Sequence, residues 1–378
     1  MLLKNADVLL GDFSFSRCDI QITAGKIEKI MPCGFLEDAD EIDCSDKWAL
    51  PGLIDIHTHG ACGVDTMDAT IDALNRISTF MAQNGVTSFL PTSMTMDIPS
   101  IEKAFSNVRT AYETRTNGAN IVGINMEGPY INPDRAGAQD SANVRPANID
   151  EFRRLNALSG HLVKLVTVAP EMPENLAFIR EVVKDGVAVS CGHSSADYDT
   201  IMEAYQNGSN HMTHLYNAMT PLTHRDPNAV GAAFTSDSVY CELICDGVHI
   251  HKAAVLTAYH MKGADKMILI SDSMMAAGLG DGEYNLGGLP VIVSGGVARI
   301  KEGNLAGSCA KLISCVKKAI EFGIPVPDAV KMASLTPAKS IGIAHQKGSI
   351  EIGKDADIII TDHNLCVEST IIGGKIFS

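Results

Sequence analysis

The chain has little positive charge for its size. Its 30 Lys and Arg residues are outnumbered by 45 Asp and Glu residues, giving a formal net charge of -15. A surface that binds a nucleic-acid backbone or an anionic membrane needs clustered cations. We therefore expect no nucleic acid and no membrane among the partners, and an anionic ligand would need a local patch of cationic side chains.

The sequence also lacks the signals of membrane insertion and secretion. No uncharged apolar stretch reaches the roughly 18 residues that a membrane-spanning helix needs. Lys4, Asp7 and Asp12 interrupt the first apolar run, and no signal-peptide pattern follows. The ten cysteines form no CxxC pair and fall mostly in apolar segments, as is typical of reduced, buried thiols. We therefore expect a cytoplasmic protein without structural disulfides.

From residue 54 onward, short runs rich in Val, Ile and Leu alternate with longer segments of helical periodicity. This pattern is typical of repeated strand-helix units. Eight runs are predicted strands: 54–59, 87–92, 121–129, 162–170, 187–194, 211–218, 239–250 and 266–273. Eight strands predict an α/β protein with a closed TIM (β/α)8 barrel. A doubly wound open sheet is the alternative, but its glycine-rich nucleotide-binding fingerprint does not follow the first strand.

Both ends of the chain have β character instead. They contain short alternating apolar runs separated by turns, and neither end has enough apolar residues for a core of its own. We therefore predict a small β-sandwich domain formed by residues 1–49 and 345–378, beside a barrel of residues 50–344. Two Gly-Gly pairs within 283–300 predict hairpins inserted after the eighth strand.

Side chains able to bind a metal stand at the predicted carboxyl ends of different strands, where TIM-barrel enzymes place their chemistry. These candidates are His57 and His59 on the first strand, Glu127 on the third, His193 on the fifth, His214 on the sixth and Asp272 on the eighth. One such residue alone is more often a hydrogen-bonded core residue. Six at one mouth would be costly to bury without a metal or mutual pairing. Imidazole with carboxylate suits divalent ions, zinc above all.

Eight motifs are distributed along the chain from residue 51 to residue 308. They are PGLIDIHTHG (51–60), EGPYINPDRAGAQD (127–140), GHS (192–194), HLYNAM (214–219), HRDP (224–227), DGVHIH (246–251), ISDSMMAAGLGDGEY (270–284) and LAGS (305–308). The set resembles the amidohydrolase superfamily and, within it, the N-acetylglucosamine-6-phosphate deacetylases. The resemblance implies that Glu127, His193 and His214 bind the catalytic divalent metal. Because His57 and His59 are both present, a second ion per subunit is allowed.

The resemblance also implies the reaction, which is removal of the acetyl group from a small amino-sugar phosphate. It makes Asp272 the general base and acid, since a carboxylate beside a metal can take a proton from attacking water and return one to the departing amine. The alternative role for Asp272 is to cap a turn in ISDS.

The substrate residues implied by the resemblance come from several loops. They are Ala138, Gln139, Asn217, Ala218, Arg225, His249, Leu305, Ala306 and Gly307. Arg225 and His249 are the cationic candidates for the phosphate, because Arg grips phosphate with parallel hydrogen bonds. In the family Arg225 would reach the neighbouring active site, which implies a homodimer. Gln139 departs from members with His at this position, though its amide can also donate to the acetyl carbonyl.

Three alternatives remain at this point. N-acetylgalactosamine-6-phosphate deacetylases share the motifs, and no residue decides the C4 epimer. A cyclic-amide hydrolase of the same superfamily is disfavoured by EGP and by Lys164, since some members with two metals bridge them by a modified lysine at the end of the fourth strand. Lys164 falls near the start of that strand and is interpreted as structural. A non-catalytic scaffold is expected to lose ligands or Asp272, and all are present.

Overall fold

A curled parallel sheet of eight strands is the centre of the computed structural model, which describes residues 1–38 and 40–377. The strands are β1 (Leu53–Thr58), β2 (Val86–Pro91), β3 (Ile124–Glu127), β4 (Val163–Val168), β5 (Ala188–Cys191), β6 (His211–Met212), β7 (Tyr240–Ile244) and β8 (Met267–Ile270). Neighbouring strands follow chain order and run parallel. A bridge between Thr92 and Asn125 joins β2 to β3, and one between Thr58 and Ser273 joins the two ends of the series. Each strand overlaps a predicted run.

Helices connect consecutive strands of the curled sheet, and further helices follow β8. They are α1 (Ile71–Gln83), α2 (Ile98–Thr114), α3 (Ile149–Leu158), α4 (Asn175–Lys184), α5 (Tyr198–Gln206), α6 (Asn228–Thr235), α7 (Lys252–Lys262), α8 (Leu312–Phe322), α9 (Val326–Met332) and α10 (Leu335–Ser340). The side chains of Asp97 and Asp197 accept backbone N–H groups at the starts of α2 and α5, which satisfies donors that the first helical turn leaves free. Among the described residues, every helix is too short or too polar to cross a membrane.

Two apolar layers hold the curled sheet. The outer layer lies between strands and helices and includes the fully buried Phe89 and Phe105. The inner layer contains Ile54, Leu165 and Ile268, and Ala338 of α10 packs against it. Because side chains fill the interior, the strands are held at fixed spacing and their carboxyl ends form a stable base for a site.

A second, eight-stranded sheet combines strands from both ends of the chain. Its strands are Leu2–Leu9, Phe15–Thr23, Lys26–Pro32, Glu41–Asp43, Trp48–Pro51, Ile358–Thr361, Val367–Ile372 and Lys375–Phe377. Trp48–Pro51 lies between Leu2–Leu9 and Ile358–Thr361, so it joins the N-terminal strands to the C-terminal ones. An apolar cluster that includes Ile20 and Ile358 belongs to this sheet.

Three short antiparallel strands follow β8, as the two Gly-Gly pairs predicted. They are Gly282–Leu286, Leu289–Ser294 and Val297–Ile300. All four turn glycines have positive φ, which glycine adopts without steric cost. Their apolar side packs with Met94 and Met274, next to the mouth of the parallel sheet.

His211 in β6 gives the fold a measurable dependence on pH. Burial, with a smaller effect of Lys266, lowers the pKa of His211 to about 3, whereas an unfolded chain has a histidine pKa of about 6.5. Its Nδ1–H donates to Asn210 Oδ1 at 2.7 Å. The neutral ring therefore contributes stability above pH 6.5 that is lost as pH falls toward 3, because the unfolded state then binds the extra proton.

We predict that His211→Gln reduces this loss. Between pH 7 and pH 5 the wild type should lose about 2 kcal/mol more unfolding free energy than the variant, at about 1.4 kcal/mol per pKa unit. Urea unfolding at both pH values measures the difference. His260→Gln, at an exposed position of α7, is the matched control. The same pH dependence in His211→Gln and wild type would contradict the assignment.

Candidate active site

The candidate ligands and Asp272 meet where the strands of the curled sheet end. His57 lies in β1 and Glu127 is the last residue of β3, while His193, His214 and Asp272 each follow a strand by two residues. These last three have φ values of 46°, 27° and 47°. A non-glycine residue in this left-handed region costs on the order of 1–3 kcal/mol. The backbone is therefore strained at three of the positions that build the site.

Glu127, His193 and His214 form one compact cluster. Nε2 atoms of the two histidines lie 3.0 Å apart, and each is 3.2 Å from Glu127 Oε1. His193 Nδ1–H donates to the backbone carbonyl of Arg135 at 2.9 Å, so in the neutral ring Nε2 has a free lone pair. Three acceptors directed at one point repel one another unless a cation lies among them. The donor set therefore fits a divalent metal.

His57 and His59 form a second cluster on the other side of Glu127. His57 Nε2 is 3.3 Å from Glu127 Oε1, and His59 Nε2 is 3.3 Å from Glu127 Oε2. Asp272 Oδ1 lies 3.3 Å from His59 Nε2 and 3.6 Å from His57 Nε2. Nε2 of His57 is buried and has no hydrogen-bond partner in the described part of the chain. Because Glu127 belongs to both clusters, two cation positions would share one carboxylate.

The electrostatics of the two clusters agree with a cation site. Burial opposes a charged ring at His57, but the carboxylates of Glu127, Glu242 and Asp272 outweigh burial and raise its pKa well above the usual value. The pKa of His59 rises to about 9 against the same opposing burial, through Asp272 and Glu127. Burial would raise the pKa of Asp272, yet the two imidazoles lower it. A field that favours positive charge here also favours a divalent ion.

Two supporting residues were not predicted in these roles from the sequence. Gln139 donates from Nε2 to Glu127 Oε2 at 2.6 Å and accepts the Thr95 N–H at 2.7 Å. This orients Glu127 and leaves one amide hydrogen for a ligand. Glu242 Oε2 lies 2.9 Å from His57 Nδ1. A lone carboxylate in the apolar run YCELIC is the sequence signal that could have indicated Glu242, but it was not used.

A cavity of about 370 Å³ opens above the clusters. It is lined by His59, Glu127, His193, His214 and Asp272, and by the predicted substrate residues Ala138, Gln139, Asn217, Ala218, His249, Leu305 and Gly307. Arg135 and Asn304 also line it and were not predicted. Two predicted substrate residues lie outside the lining. Ala306 is buried in the apolar cluster beside the hairpins, and Arg225 is exposed on a loop.

The LAGS segment supports Asp272 directly. Ser308 N–H donates to the Asp272 carbonyl at 2.7 Å. Gly307 has a φ of 60°, and a Cβ added there would lie 3.1 Å from the same carbonyl oxygen. A side chain at 307 would therefore be strained by its backbone and crowd Asp272.

Sequence and structural similarity identify the family. A profile of the amidohydrolase family matches residues 48–377. The chain belongs to the amidohydrolase family. Enzymes of this family depend on metal ions, and His57, His59, Glu127, His193 and His214 are the candidate ligand groups of this amidohydrolase.

Individual relatives narrow the similarity. The chain is 41% identical over 336 residues to an N-acetylglucosamine-6-phosphate deacetylase of Bacillus subtilis, covering 88% of this chain and 85% of the relative. It is 36% identical over 362 residues to an N-acetylgalactosamine-6-phosphate deacetylase of Escherichia coli O157:H7, covering 95% and 94%.

Among solved structures, a mutant N-acetyl-D-glucosamine-6-phosphate deacetylase of Mycobacterium smegmatis, in complex with N-acetyl-D-glucosamine-6-phosphate, superimposes with a TM-score of 0.94. It is 30% identical, and the match covers 100% of this chain and 98% of that one. The resemblance predicted from the motifs is confirmed.

The shared carboxylate leads to a prediction about metal content. Glu127→Gln should lose ions from both positions, because Glu127 faces all four imidazoles and an amide is a much weaker ligand. His59→Gln removes a group from the second cluster alone and should keep one ion per chain. Elemental analysis of purified, zinc-loaded proteins measures this. A Glu127→Gln protein with the metal content of wild type would contradict the arrangement.

Proposed function

We propose that this amidohydrolase removes the acetyl group from N-acetyl-D-glucosamine 6-phosphate, giving D-glucosamine 6-phosphate and acetate in amino-sugar catabolism. The observation that carries the proposal is the meeting of two metal-ligand clusters, Asp272 and the substrate-type loops at one cavity. The volume of about 370 Å³ lies within the range of small-molecule sites. Relatives of this activity match nearly the whole chain.

Glu127, His193 and His214 would hold the catalytic divalent ion, and His57 and His59 a second one. Zinc is the ion we propose, because nitrogen and carboxylate ligands at an open site suit it. A bound divalent ion polarises the acetyl carbonyl and makes water a stronger nucleophile at neutral pH.

Asp272 handles the protons in this proposal. Its carboxylate accepts a proton from the attacking water and passes it to the amine nitrogen as the C–N bond breaks. The hydrogen bond from Ser308 N–H to its backbone carbonyl holds the residue in place. Asp272 is only 8% exposed, which limits the access of bulk water to its carboxylate.

We also propose that His249 binds the substrate. Its Nδ1–H donates to Asp246 Oδ2 at 2.7 Å, which fixes the ring and leaves Nε2 for the ligand. Asp246 also accepts the N–H groups of Val248 and His249. The loop is therefore rigid where it lines the cavity, and His249 is positioned before substrate binds.

Arg225 is assigned to the sugar phosphate of a neighbouring active site. Its exposure outside the cavity of its own chain agrees with a partner subunit completing the site. We therefore propose a homodimer. A small-molecule amino-sugar phosphate in the cytoplasm is the proposed substrate, with neither nucleic acid nor membrane as a partner.

We also make a proposal about the fold and its division into domains. We propose that the curled sheet and its helices are a TIM (β/α)8 barrel of residues 50–344. The bridge between Thr58 and Ser273 supports closure. The strands from both chain ends would form a small β-sandwich domain of residues 1–49 and 345–378, which the separate apolar cluster of that sheet supports.

The galacto epimer is the second candidate substrate, because the Escherichia coli relative is named an N-acetylgalactosamine-6-phosphate deacetylase. A cyclic-amide hydrolase with a bridging lysine is disfavoured. Lys164 is the second residue of β4 and lines depressions with residues such as Gly186 and Lys339, away from the cavity.

Acetate release from the two N-acetylhexosamine 6-phosphates tests the proposed function. We expect a kcat/KM for the gluco epimer above that for the galacto epimer. Asp272→Asn is the matched control. Its amide keeps the shape, and Asn tolerates the left-handed backbone, but it cannot accept the proton. Its kcat should fall by about 10²- to 10⁴-fold with unchanged metal content. Activity that survives this change, or release from neither sugar, would contradict the proposal.

The phosphate assignment gives a prediction for Arg225→Ala. Loss of a charge-assisted hydrogen bond worth about 1.5–3 kcal/mol should lower kcat/KM for the phosphorylated sugar by at least about tenfold. The kcat/KM for the unphosphorylated sugar should change little, because that sugar has no phosphate for Arg225 to bind. Arg109→Ala, which removes an exposed cation from α2, controls for net charge. Equal losses on both sugars would rule out a phosphate contact.

Donation between subunits has its own readout. Mixed dimers of Arg225→Ala with Asp272→Asn should regain activity, because one of the two sites then has both groups intact. Demonstrated heterodimers without such recovery would place Arg225 in its own subunit.

A further inference from the structure

A fully buried carboxylate stands behind the second ligand cluster. Glu242 lies in the middle of β7 between the buried Cys241 and Leu243, and its exposed fraction is 0%. Taking a carboxylate out of water costs several kcal/mol unless partners compensate. Packing of an apolar strand does not require a carboxylate. The burial of Glu242 must therefore be compensated by a specific polar partner.

The main partner of Glu242 is the ring of His57. Oε2 lies 2.9 Å from His57 Nδ1, and it also lies 3.4 Å from the backbone N–H of His214. Its other oxygen, Oε1, has no hydrogen-bond partner among the described residues. A carboxylate only accepts, so Nδ1 of His57 donates and carries the hydrogen. In the neutral ring that binds a cation, Nε2 on the far side then keeps its lone pair.

That lone pair is directed at the second cluster. His57 Nε2 lies 3.3 Å from Glu127 Oε1 and 3.6 Å from Asp272 Oδ1. With the opposite tautomer, Nε2 would carry a hydrogen and could not bind a cation. A hydrogen bond from the second ring nitrogen to a carboxylate also makes the ligating nitrogen more basic.

We propose that Glu242 is a positioning residue for the second ion: it fixes the tautomer and orientation of His57 and places a negative charge behind the ring. The inference rests on the second ion of the proposed function. It concerns how that ion is held, not which amide is hydrolysed. Glu242 does not touch substrate in this role and acts on the second ion through His57.

The experiment is a double-mutant cycle on zinc binding. Chelator-stripped proteins are titrated with Zn²⁺ against a chromophoric chelator, and elemental analysis counts the ions. Glu242→Leu should weaken the second ion by about 10- to 100-fold and leave the first within about threefold. Glu242→Gln should cost less, about three- to tenfold, because its amide oxygen still accepts from His57. If Glu242→Leu does not fold, the zinc affinity of Glu242→Gln tests the inference on its own.

The His57→Gln background separates positioning from a general structural effect. If Glu242 acts through His57, adding Glu242→Leu to His57→Gln should change zinc affinity by no more than about twofold, because coupled residues are not additive. Asp19→Asn is the matched control for losing a buried carboxylate. Asp19 is fully buried in the terminal sheet and accepts the backbone N–H groups of Asn5 and Gly34. It should lower the midpoint of unfolding and leave both zinc affinities unchanged.

Each outcome decides the inference. Unchanged affinity for the second ion in both Glu242 variants overturns it, as does an equal loss in the wild-type and His57→Gln backgrounds. A wild type that binds one ion only also overturns it, while acetate release by that protein would still support the deacetylase proposal. Absence of acetate release with two bound ions would reject the deacetylase proposal and leave the role of Glu242 standing.

Discussion

Four imidazoles converge on the two oxygens of one carboxylate, and the rest of the site depends on this arrangement. The Nε2 atoms of His57, His193 and His214 all lie 3.2–3.3 Å from Glu127 Oε1, while His59 faces Oε2. Lone pairs so close together stay in place only if positive charge lies among them. The packed interior of the curled sheet supplies the rigidity that keeps the ligands from moving apart.

Much of the fold and part of the site could be predicted from sequence. Apolar runs located all eight strands, because burial on both faces of a parallel sheet leaves a strong local signal. The runs 187–194 and 211–218 were predicted too long, since only Ala188–Cys191 and His211–Met212 form strands. The backbone leaves the strand to enter the left-handed conformation at His193 and His214, and hydrophobic periodicity does not encode that change.

Contacts between segments far apart in the chain could not be predicted from a single sequence. Glu242 and His57 are 185 residues apart, and nothing local to either pairs them. Gln139 was predicted to face substrate, yet the structure also engages its amide with Glu127 and Thr95. Arg225 illustrates a different limit, because its proposed contact lies in a neighbouring subunit, whereas in its own chain it is exposed on a loop outside the cavity lining.

The sheet built from both chain ends has a consequence for biosynthesis. Trp48–Pro51 pairs with Ile358–Thr361. The edge of Trp48–Pro51 is synthesised early, but its partner strand is synthesised only near the end of translation. At ribosomal rates of about 5–20 residues per second, the delay is roughly 15–60 s. Throughout that time the nascent chain displays an unpaired strand edge, which other chains can join. Protection of that edge on the ribosome would therefore raise the yield of native chains without changing the stability of the finished protein.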